Sequence, residues 1–297
     1  MTNDALVRSW LYVPAHKERM IARSLELPAD AVIYDYEDAV PPAEKVGARS
    51  VLSEALPAMP PEGTPRRYVR VNTPRHEHLF ADDLRAALEL NVEGIWLPKV
   101  ESAAQVQGVS AALSYEEERM GVEPGSTRLA LLIESPLGVV NAYAICAADP
   151  RVIAVQFGGE DFSREMGLPL VRTGEAKDLL YQRAAVATAC AAAGVQPVDV
   201  IWTELDNLDG LAQEAAQARR LGFTSKAVIH PSQIEPVNAA FSPTPEEVAY
   251  AREVIAALEE AVAQGTGVLN YHGAFLEEPV IARARRTLDL AERFQVG

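Results

Sequence analysis

Two apolar runs, Leu129-Ala130-Leu131-Leu132-Ile133-Glu134 and Val152-Ile153-Ala154-Val155-Gln156-Phe157, lie on either side of a helical pattern over residues 139–148. Each run is hydrophobic on both faces up to its last residues, as in strands that are covered on both sides. A helix between two such strands is the connection that parallel pairing requires. The stretch therefore predicts a β–α–β unit with parallel strands.

The same unit recurs along the chain. Apolar, β-branched runs that alternate with helical patterns occur at residues 10–13, 31–34, 68–71, 94–97, 129–133, 152–157, 198–201 and 226–229. A long loop is predicted after the sixth run, before a helix over residues 176–193. Eight parallel strand–helix units predict a closed (β/α)₈ TIM barrel, and a length of 297 residues is normal for one such barrel. An open doubly wound sheet is the alternative.

The pattern changes after the eighth unit. Pro243 and Pro245 open a helix that runs to about residue 264, Gly265-Thr266-Gly267 ends it, and an irregular segment over 271–279 precedes a last helix. We therefore divide the chain into a barrel domain, residues 1–241, and a C-terminal helical extension, residues 242–297. We interpret this extension as a lid over a barrel mouth, either its own or that of a neighbouring subunit.

Composition excludes several classes of partner. The formal net charge of −15 disfavours nucleic acid and anionic membranes. No apolar run reaches membrane-spanning length, and the short, polar start of the chain lacks the apolar region of a signal peptide. Cys146 and Cys190 lie in alanine-rich helical stretches and are interpreted as buried, reduced residues, which fits a cytoplasmic protein.

Ionisable residues gather where the predicted strands end. They are Glu37 and Asp38 after strand two, Arg70 in strand three, Lys99 after strand four, Glu134 after strand five, Glu160 and Asp161 after strand six, Asp199 in strand seven and His230 after strand eight. Barrel enzymes carry their chemistry at this end of the strands. A charge inside a barrel is unfavourable unless it is paired or bound to a metal. The set therefore predicts an active site, with solvated loop charges as the alternative.

Glu134 and Asp161 are the most specific pair in this set. They follow neighbouring apolar strands, and two carboxylates can hold one hard divalent cation such as Mg²⁺ together with water and substrate. Gly158-Gly159 favours this interpretation because small residues allow a ligand to approach the backbone. An acid pair that is hydrogen-bonded to the backbone is the alternative.

Arg70 lies within the apolar strand Val69-Arg70-Val71-Asn72 and needs a carboxylate partner. A substrate carboxylate can accept the bidentate fork of the guanidinium. A buried pair with Glu37 or Asp38 is the alternative, and a substrate could also join such a network.

Two weaker signals concern a phosphate and a histidine. His16, Lys17, Arg19 and Arg23 form a basic cluster in the first loop, which indicates either a phosphate site or a plain solvated helix face. His230 precedes Pro231-Ser232 and could contact a ligand or satisfy a backbone carbonyl.

Seven segments, in order along the chain, carry the charged residues described above or flank them. They are Arg8-Ser9-Trp10-Leu11-Tyr12-Val13-Pro14, Asp35-Tyr36-Glu37-Asp38-Ala39-Val40, Val69-Arg70-Val71-Asn72, Leu97-Pro98-Lys99-Val100-Glu101, Leu132-Ile133-Glu134-Ser135, Phe157-Gly158-Gly159-Glu160-Asp161 and Ile229-His230-Pro231-Ser232-Gln233-Ile234. Together they resemble the citrate lyase β-subunit-like branch of the HpcH/HpaI aldolase superfamily, which includes malyl-CoA and citramalyl-CoA lyases. The resemblance covers nearly the whole chain.

The resemblance implies a homotrimer of TIM barrels that uses Mg²⁺ or Mn²⁺. It implies that Glu134 and Asp161 ligate the metal, that Glu37 and Asp38 hold metal-bound waters, and that Arg70 binds the substrate carboxylate. Coenzyme A would be part of the substrate.

The resemblance also implies contacts that lie further from the metal. Tyr12, Arg19 and Arg23 match residues that contact CoA in some relatives, and His230 is a further candidate for substrate binding. The C-terminal segment resembles a lid that crosses to a neighbouring subunit, in which Glu277 would exchange a proton with the leaving fragment.

Two positions depart from the family pattern. Ala15 stands where the family usually has glycine, and Glu277 stands where the lid usually presents aspartate. A catalytic group misplaced by ~1 Å can lower a rate about a hundredfold.

The predicted function is Mg²⁺-dependent retro-Claisen or retro-aldol cleavage of a 3-hydroxy-3-carboxylated acyl thioester, such as malyl-CoA or citramalyl-CoA. One alternative is a metal-dependent aldolase of free 4-hydroxy-2-oxo acids. Another is a citrate lyase subunit that acts on a thioester held by an acyl-carrier protein, or an inactive binding member of a complex.

Overall fold

Eight parallel strands form a closed barrel in the computed structural model, which describes residues 6–57, 62–169, 174–263, 270–271, 274–275 and 277–296. The strands follow one another around the barrel in chain order, and the last pairs with the first. They are β1 (Ser9–Pro14), β2 (Ala31–Asp35), β3 (Arg66–Arg70), β4 (Gly94–Leu97), β5 (Arg128–Ile133), β6 (Val152–Phe157), β7 (Gln196–Asp199) and β8 (Ser225–Val228). The predicted TIM barrel is confirmed, and the open sheet is excluded.

Helices surround the barrel. They are α1 (Glu18–Ser24), α2 (Lys45–Ala55), α3 (Glu77–Glu89), α4 (Ala103–Met120), α5 (Pro136–Val140), α6 (Ala142–Cys146), α7 (Gly159–Met166), α8 (Leu180–Ala193), α9 (Leu208–Leu221) and α10 (Ile234–Phe241). Short 3₁₀ turns occupy Gly174–Leu179 and Pro231–Gln233. Helix α4 begins with a capping box, in which Ser102 and Gln105 exchange side-chain-to-backbone hydrogen bonds.

Two connections differ from the sequence prediction. The single helix predicted over 139–148 is two short helices, α5 and α6, which meet at Asn141. The long loop predicted after strand six is instead helix α7, which begins at Gly159. Glu160 and Asp161 therefore lie in the first turn of a helix, where the helix dipole stabilises negative charge.

Aromatic and small residues fill the inside of the barrel. Trp10 packs edge-to-face on Tyr68 and on Trp96, and both ring-centroid distances are 4.9 Å. Alanines on other strands leave room for these rings, among them Ala130 and Ala154. The interior is thus a packed core, and the space available for a ligand lies above it, at the carboxyl ends of the strands.

The chain divides into one compact unit that spans Leu6–Asn238 and a second that begins at Ala239. The second unit contains α11 (Pro245–Ala263), the short antiparallel strands β9 (Asn270–Tyr271) and β10 (Ala274–Phe275), and α12 (Glu278–Arg293). A small core of Ala251, Val254 and Ala284 joins α11 to α12. The predicted helical C-terminal extension is present, whereas Gly265-Thr266-Gly267, Gly273 and Leu276 lie outside the described residues.

Cys146 and Cys190 are both buried and free, with their Sγ atoms 3.8 Å apart, as the sequence predicts for packed thiols. No helix in the described ranges is long and apolar enough to cross a membrane.

Candidate active site

A cavity of about 230 Å³ opens at the carboxyl ends of the strands. The polar side chains that line it come from five strands and from the loops and helix that follow them: Tyr12, Asp35, Asp38, Arg70, Glu134, Gln156, Glu160 and Asp161. The structure thus brings together the predicted metal ligands, the predicted carboxylate-binding arginine and one of the two predicted water-holding acids.

Glu134 follows β5 and is 7% exposed. Its Oε1 accepts a hydrogen bond from the backbone N–H of Lys99 at 2.8 Å, whereas its Oε2 accepts none within the described part of the chain. Burial raises the pKa of Glu134 to about 8, and the nearby charges of Asp161 and Glu37 act in the same direction, against Arg70. A buried carboxylate surrounded by acids is one that a divalent cation would stabilise.

Asp161 is the second predicted ligand and lies in the first turn of α7. Its Oδ1 is 3.1 Å from Nη1 of the exposed Arg164, and its side chain is 19% exposed. Across the described ranges, no three His, Cys, Asp or Glu side chains are grouped so as to hold a metal ion. Mg²⁺ usually takes one or two carboxylates and keeps several water ligands, so a pair of carboxylates is the number that this ion requires.

Arg70 is held mainly by Asp35, a residue that the sequence analysis did not select. The Arg70 Nε donates to Asp35 Oδ1 at 2.7 Å, its Nη2 donates to Asp35 Oδ2, and its Nη1 lies 3.3 Å from Glu37 Oε2. The parallel register places Asp35 directly beside Arg70. Burial opposes the charge on Arg70, but Asp35 outweighs it and raises the pKa well above its ordinary value.

Arg70 still has donors for a substrate. A guanidinium carries five N–H groups, and the three contacts to Asp35 and Glu37 leave two of them. The guanidinium carbon also lies 4.9 Å from the ring centroid of Tyr12, whose hydroxyl donates to Gln156 Oε1 at 2.7 Å. The predicted pairing with Glu37 and the predicted role toward a substrate carboxylate are therefore compatible.

Lys99 connects the two acidic parts of the site. Its backbone adopts a left-handed conformation with φ 57°, which is uncommon outside glycine. Its N–H supports Glu134, while its Nζ donates to Glu37 and lies 3.3 Å from both Asp38 carboxylate oxygens. Burial raises the pKa of Glu37; at Asp38, burial is outweighed by Lys99 and Arg70, which lower the pKa.

Comparison with known proteins places the chain in a family. The HpcH/HpaI aldolase/citrate lyase model matches residues 8–231. Citrate lyase subunit beta of Leuconostoc mesenteroides subsp. cremoris is 36% identical over 294 residues, covering 98% of this chain and 95% of that protein. The chain belongs to the HpcH/HpaI aldolase/citrate lyase family.

Two further relatives of this family member carry informative names. Mitochondrial citramalyl-CoA lyase of Rattus norvegicus is 31% identical, with 96% of this chain and 86% of that protein covered. The crystal structure of CitE from Mycobacterium tuberculosis, in complex with magnesium, acetoacetate and coenzyme A, aligns with a TM-score of 0.78 and 29% identity over 97% of this chain and 99% of that one. The predicted family and class of enzyme, a carbon–carbon lyase, are confirmed.

Three residues predicted to bind substrate do not line the cavity of this HpcH/HpaI family member. Arg19 and Arg23 are exposed on α1, and Arg23 pairs with Glu26. His230 is exposed, and its Nδ1 accepts a hydrogen bond from Ser232 N at 3.2 Å, which caps the following 3₁₀ turn. The backbone contact of His230 is thus with an N–H group, whereas the alternative considered from the sequence was a backbone carbonyl.

Asp199 does not belong to the site, which corrects the sequence interpretation. It is fully buried outside the barrel wall, where its carboxylate pairs with Arg183 at 2.9 Å and with Lys226 at 2.8 Å. Lys226 also contacts Glu214 at 2.6 Å. The reason is the alternation of side chains along a strand: Val198 packs in the barrel core, so its neighbour Asp199 points to the surrounding helices.

Glu277 belongs to the second compact unit. It is exposed and stands immediately before α12 as its N-cap residue, without a side-chain capping hydrogen bond. The Glu277 carboxylate therefore does not cap helix α12.

Proposed function

We propose that this protein is a Mg²⁺-dependent lyase that breaks the carbon–carbon bond of a 3-hydroxy-3-carboxylated acyl thioester, or forms that bond in reverse. The observation that carries the proposal is the convergence of Glu134, Asp161 and Arg70 on one small cavity. Two carboxylates suit the cation, and one guanidinium suits the substrate carboxylate.

The reaction breaks one carbon–carbon bond and transfers one proton from oxygen to carbon. The bond between the carbinol carbon and the carbon next to the thioester carbonyl breaks, and its electron pair passes to the latter as a thioester enolate. The hydroxyl loses its proton and becomes the carbonyl of a 2-oxo acid, while the enolate carbon takes up a proton. The products are a 2-oxo acid and a shorter acyl thioester.

Glu134 and Asp161 would hold the Mg²⁺, whose bound charge would stabilise oxygens that become negative during cleavage. Arg70 would fix the substrate carboxylate with its remaining N–H groups. Glu37 and Asp38, gathered by Lys99, would order the surrounding water. The same oxygen ligands would also bind Mn²⁺.

The cavity is small, which indicates that the carrier of the thioester, either coenzyme A or an acyl-carrier protein, stays outside it. Pockets for drug-sized ligands usually measure about 300–1,000 Å³, whereas this cavity measures about 230 Å³. It is suited to the hydroxy-acid end of a substrate, with coenzyme A or an acyl-carrier protein outside. We propose Arg19 and Arg23 as contacts of this carrier outside the cavity, Tyr12 as its contact at the cavity wall, and His230 as a further contact of the substrate.

The extension of residues 242–297 would act as the lid and present Glu277 to the enolate carbon as its proton donor. We propose that the lid serves a neighbouring barrel in a homotrimer. Exposed apolar side chains on α5 and α6 support assembly, since Val140 is 81% exposed and Tyr143 is 58% exposed.

A free 4-hydroxy-2-oxo acid is the second candidate substrate. The same small cavity supports it, because such an acid would fit without any carrier. Ala15, which replaces the glycine usual beside the CoA site, is consistent with this alternative.

The test combines binding and turnover. Acetyl-CoA and pyruvate or glyoxylate are titrated into the protein by calorimetry with Mg²⁺ and with EDTA, and cleavage of malyl-CoA and citramalyl-CoA is followed by the release of acetyl-CoA. We expect both ligand types to bind, the oxo acid only with Mg²⁺. Binding of the oxo acid alone would assign the free-acid aldolase instead.

A matched pair of variants tests the metal assignment. Glu134→Ala should abolish Mg²⁺-dependent turnover, whereas Glu118→Ala removes an exposed carboxylate on α4 and should leave turnover unchanged. Undiminished turnover in Glu134→Ala would remove Glu134 as a ligand.

A further inference from the structure

The cavity has two chemically different walls. Its acids and its arginine lie at or just after the carboxyl ends of β2, β3, β5 and β6, and they are Asp35, Asp38, Arg70, Glu134, Glu160 and Asp161. The three strands that close the barrel on the other side, β7, β8 and β1, contribute Ile201, Ile229 and Tyr12. One wall is charged, and the opposite wall is aliphatic and aromatic.

The apolar wall is supported from below. Ile201 and Tyr12 pack against the barrel core, of which Leu132 is a member that also lines the cavity. Ile229 follows β8 directly and is 38% exposed. These side chains offer a substrate no charge and, apart from the Tyr12 hydroxyl that is bonded to Gln156, no hydrogen bond.

The charged wall provides for one substrate carboxylate. Among the described residues that line the cavity, Arg70 is the only cationic side chain. Lys99 lies nearby, but its ammonium group is bonded to Glu37 and Asp38. A second carboxylate on the substrate would thus face either acids or aliphatic carbon, and a charge buried without a partner is strongly unfavourable.

We infer that the preferred substrate carries one free carboxylate and a methyl group on its carbinol carbon, with the methyl group against Ile201 and Ile229. The inference rests on the proposed lyase function and chooses among its substrates. If the carbinol carbon carried a hydrogen instead of the methyl group, Ile201 and Ile229 would have no apolar group to contact. If it carried a carboxymethyl group, a second carboxylate would lie against these two side chains.

Cleavage of such a thioester balances without any co-reactant. CH₃–C(OH)(COO⁻)–CH₂–CO–SR gives CH₃–CO–COO⁻ and CH₃–CO–SR: the bond between C(OH) and CH₂ breaks, its electron pair goes to CH₂, the hydroxyl proton leaves, and one proton returns to that carbon. The chemistry assigns pyruvate as the oxo-acid product, rather than glyoxylate or oxaloacetate.

The experiment compares three thioesters that differ only in this substituent: malyl-CoA with hydrogen, citramalyl-CoA with methyl and citryl-CoA with carboxymethyl. With Mg²⁺ present, we expect kcat/KM to be highest for citramalyl-CoA, about 10-fold or more above malyl-CoA, because a methyl group in a fitted apolar pocket contributes about that much. Citryl-CoA should be lower than citramalyl-CoA by about 100-fold or more.

Two substitutions test the wall itself. Ile201→Ala should reduce the preference for citramalyl-CoA over malyl-CoA by about 10-fold. Ile229→Lys, at a partly exposed position that tolerates a longer side chain, should raise the activity on citryl-CoA relative to citramalyl-CoA. Val46→Lys makes a similar charge change on α2, outside the cavity and 67% exposed, and should leave the ratio unchanged.

Calorimetry of the three oxo acids with Mg²⁺ gives a second measurement that does not depend on turnover. Pyruvate should bind more tightly than oxaloacetate. Equal rates on malyl-CoA and citramalyl-CoA, or a preference for citryl-CoA or oxaloacetate, overturn the inference but leave the lyase function intact. Cleavage of none of the thioesters overturns the proposed thioester lyase itself.

Discussion

Gly158 lies against the side chain of Glu134: a Cβ atom at position 158 would stand 2.6 Å from the Glu134 Cβ and 3.1 Å from its Oε2. The φ of Gly158 is −98°, which other residues can adopt, so the requirement for glycine here is one of space. The position of the buried carboxylate therefore depends on the absence of a side chain at Gly158, directly after the neighbouring strand β6.

The first prediction follows from this contact. Gly158→Ala should displace Glu134 and weaken Mg²⁺ binding by about 10- to 100-fold, the usual effect of disturbing the residues around a metal ligand. Calorimetric titration of Mg²⁺ measures this. Gly108→Ala is the control, because a Cβ there meets nothing within 4 Å and α4 gains a better helix former. Equal Mg²⁺ affinities in both variants would contradict the prediction.

The second prediction concerns pH. Because burial raises the pKa of Glu134 to about 8 in the metal-free protein, a cation that binds below that pH must displace a proton. Mg²⁺ affinity should rise with pH by up to about 10-fold per pH unit and level off above pH ~8. Titrations in two buffers of different ionisation enthalpy measure the proton release. Affinity that is independent of pH below ~8 would show that Glu134 is already ionised.

The third prediction concerns the geometry of the arginine. Arg70→Lys keeps a positive charge but loses the fork that engages Asp35, and should lower kcat/KM by about 100-fold or more. Arg75→Lys is the matched control, because Arg75 is 69% exposed and its pair with Glu101 contributes little. If the Arg70→Lys enzyme were as active as the Arg75→Lys enzyme, a positive charge at position 70 would be enough for activity and the guanidinium geometry would not matter.

The fourth prediction concerns the buried charges outside the barrel. Lys226→Met leaves Asp199 and Glu214 without one of their cations and should lower the free energy of unfolding by about 3–5 kcal/mol. Urea denaturation measures the change. Arg220→Met, at an exposed position on α9, should change stability by less than about 0.5 kcal/mol. A stable Lys226→Met variant would show that the network contributes specificity rather than stability.

The barrel could be predicted because its strands are short and apolar on both faces, a pattern typical of parallel strands covered by helices. The place of Glu134, Asp161 and Arg70 at one cavity could be predicted because each is a charge at or after the end of such a strand. Asp35 was missed although the signal was present: it lies two residues after Ile33, which faces the core, and so shares its face.

The wrong prediction for Asp199 is explained by the same alternation of side chains along a strand. Asp199 was assigned to the site by its place in the strand alone, but it follows Val198, which faces inward, so its own side chain faces outward. A shift of one residue in this assignment exchanges the two faces. Helix α7 was missed because it begins with Gly159, a poor helix former, and its start depends on the acids of its first turn.

The contribution of Lys99 to Glu134 is made by the main chain, and its contribution to Glu37 and Asp38 by the ammonium group. Every amino acid except proline can donate a backbone N–H, and glycine adopts a φ of 57° without strain. A single substitution at this position could therefore discard the cation while the neighbouring carboxylate stayed anchored. The support of Glu37 and Asp38 and the support of Glu134 can consequently change separately in evolution, although both depend on Lys99.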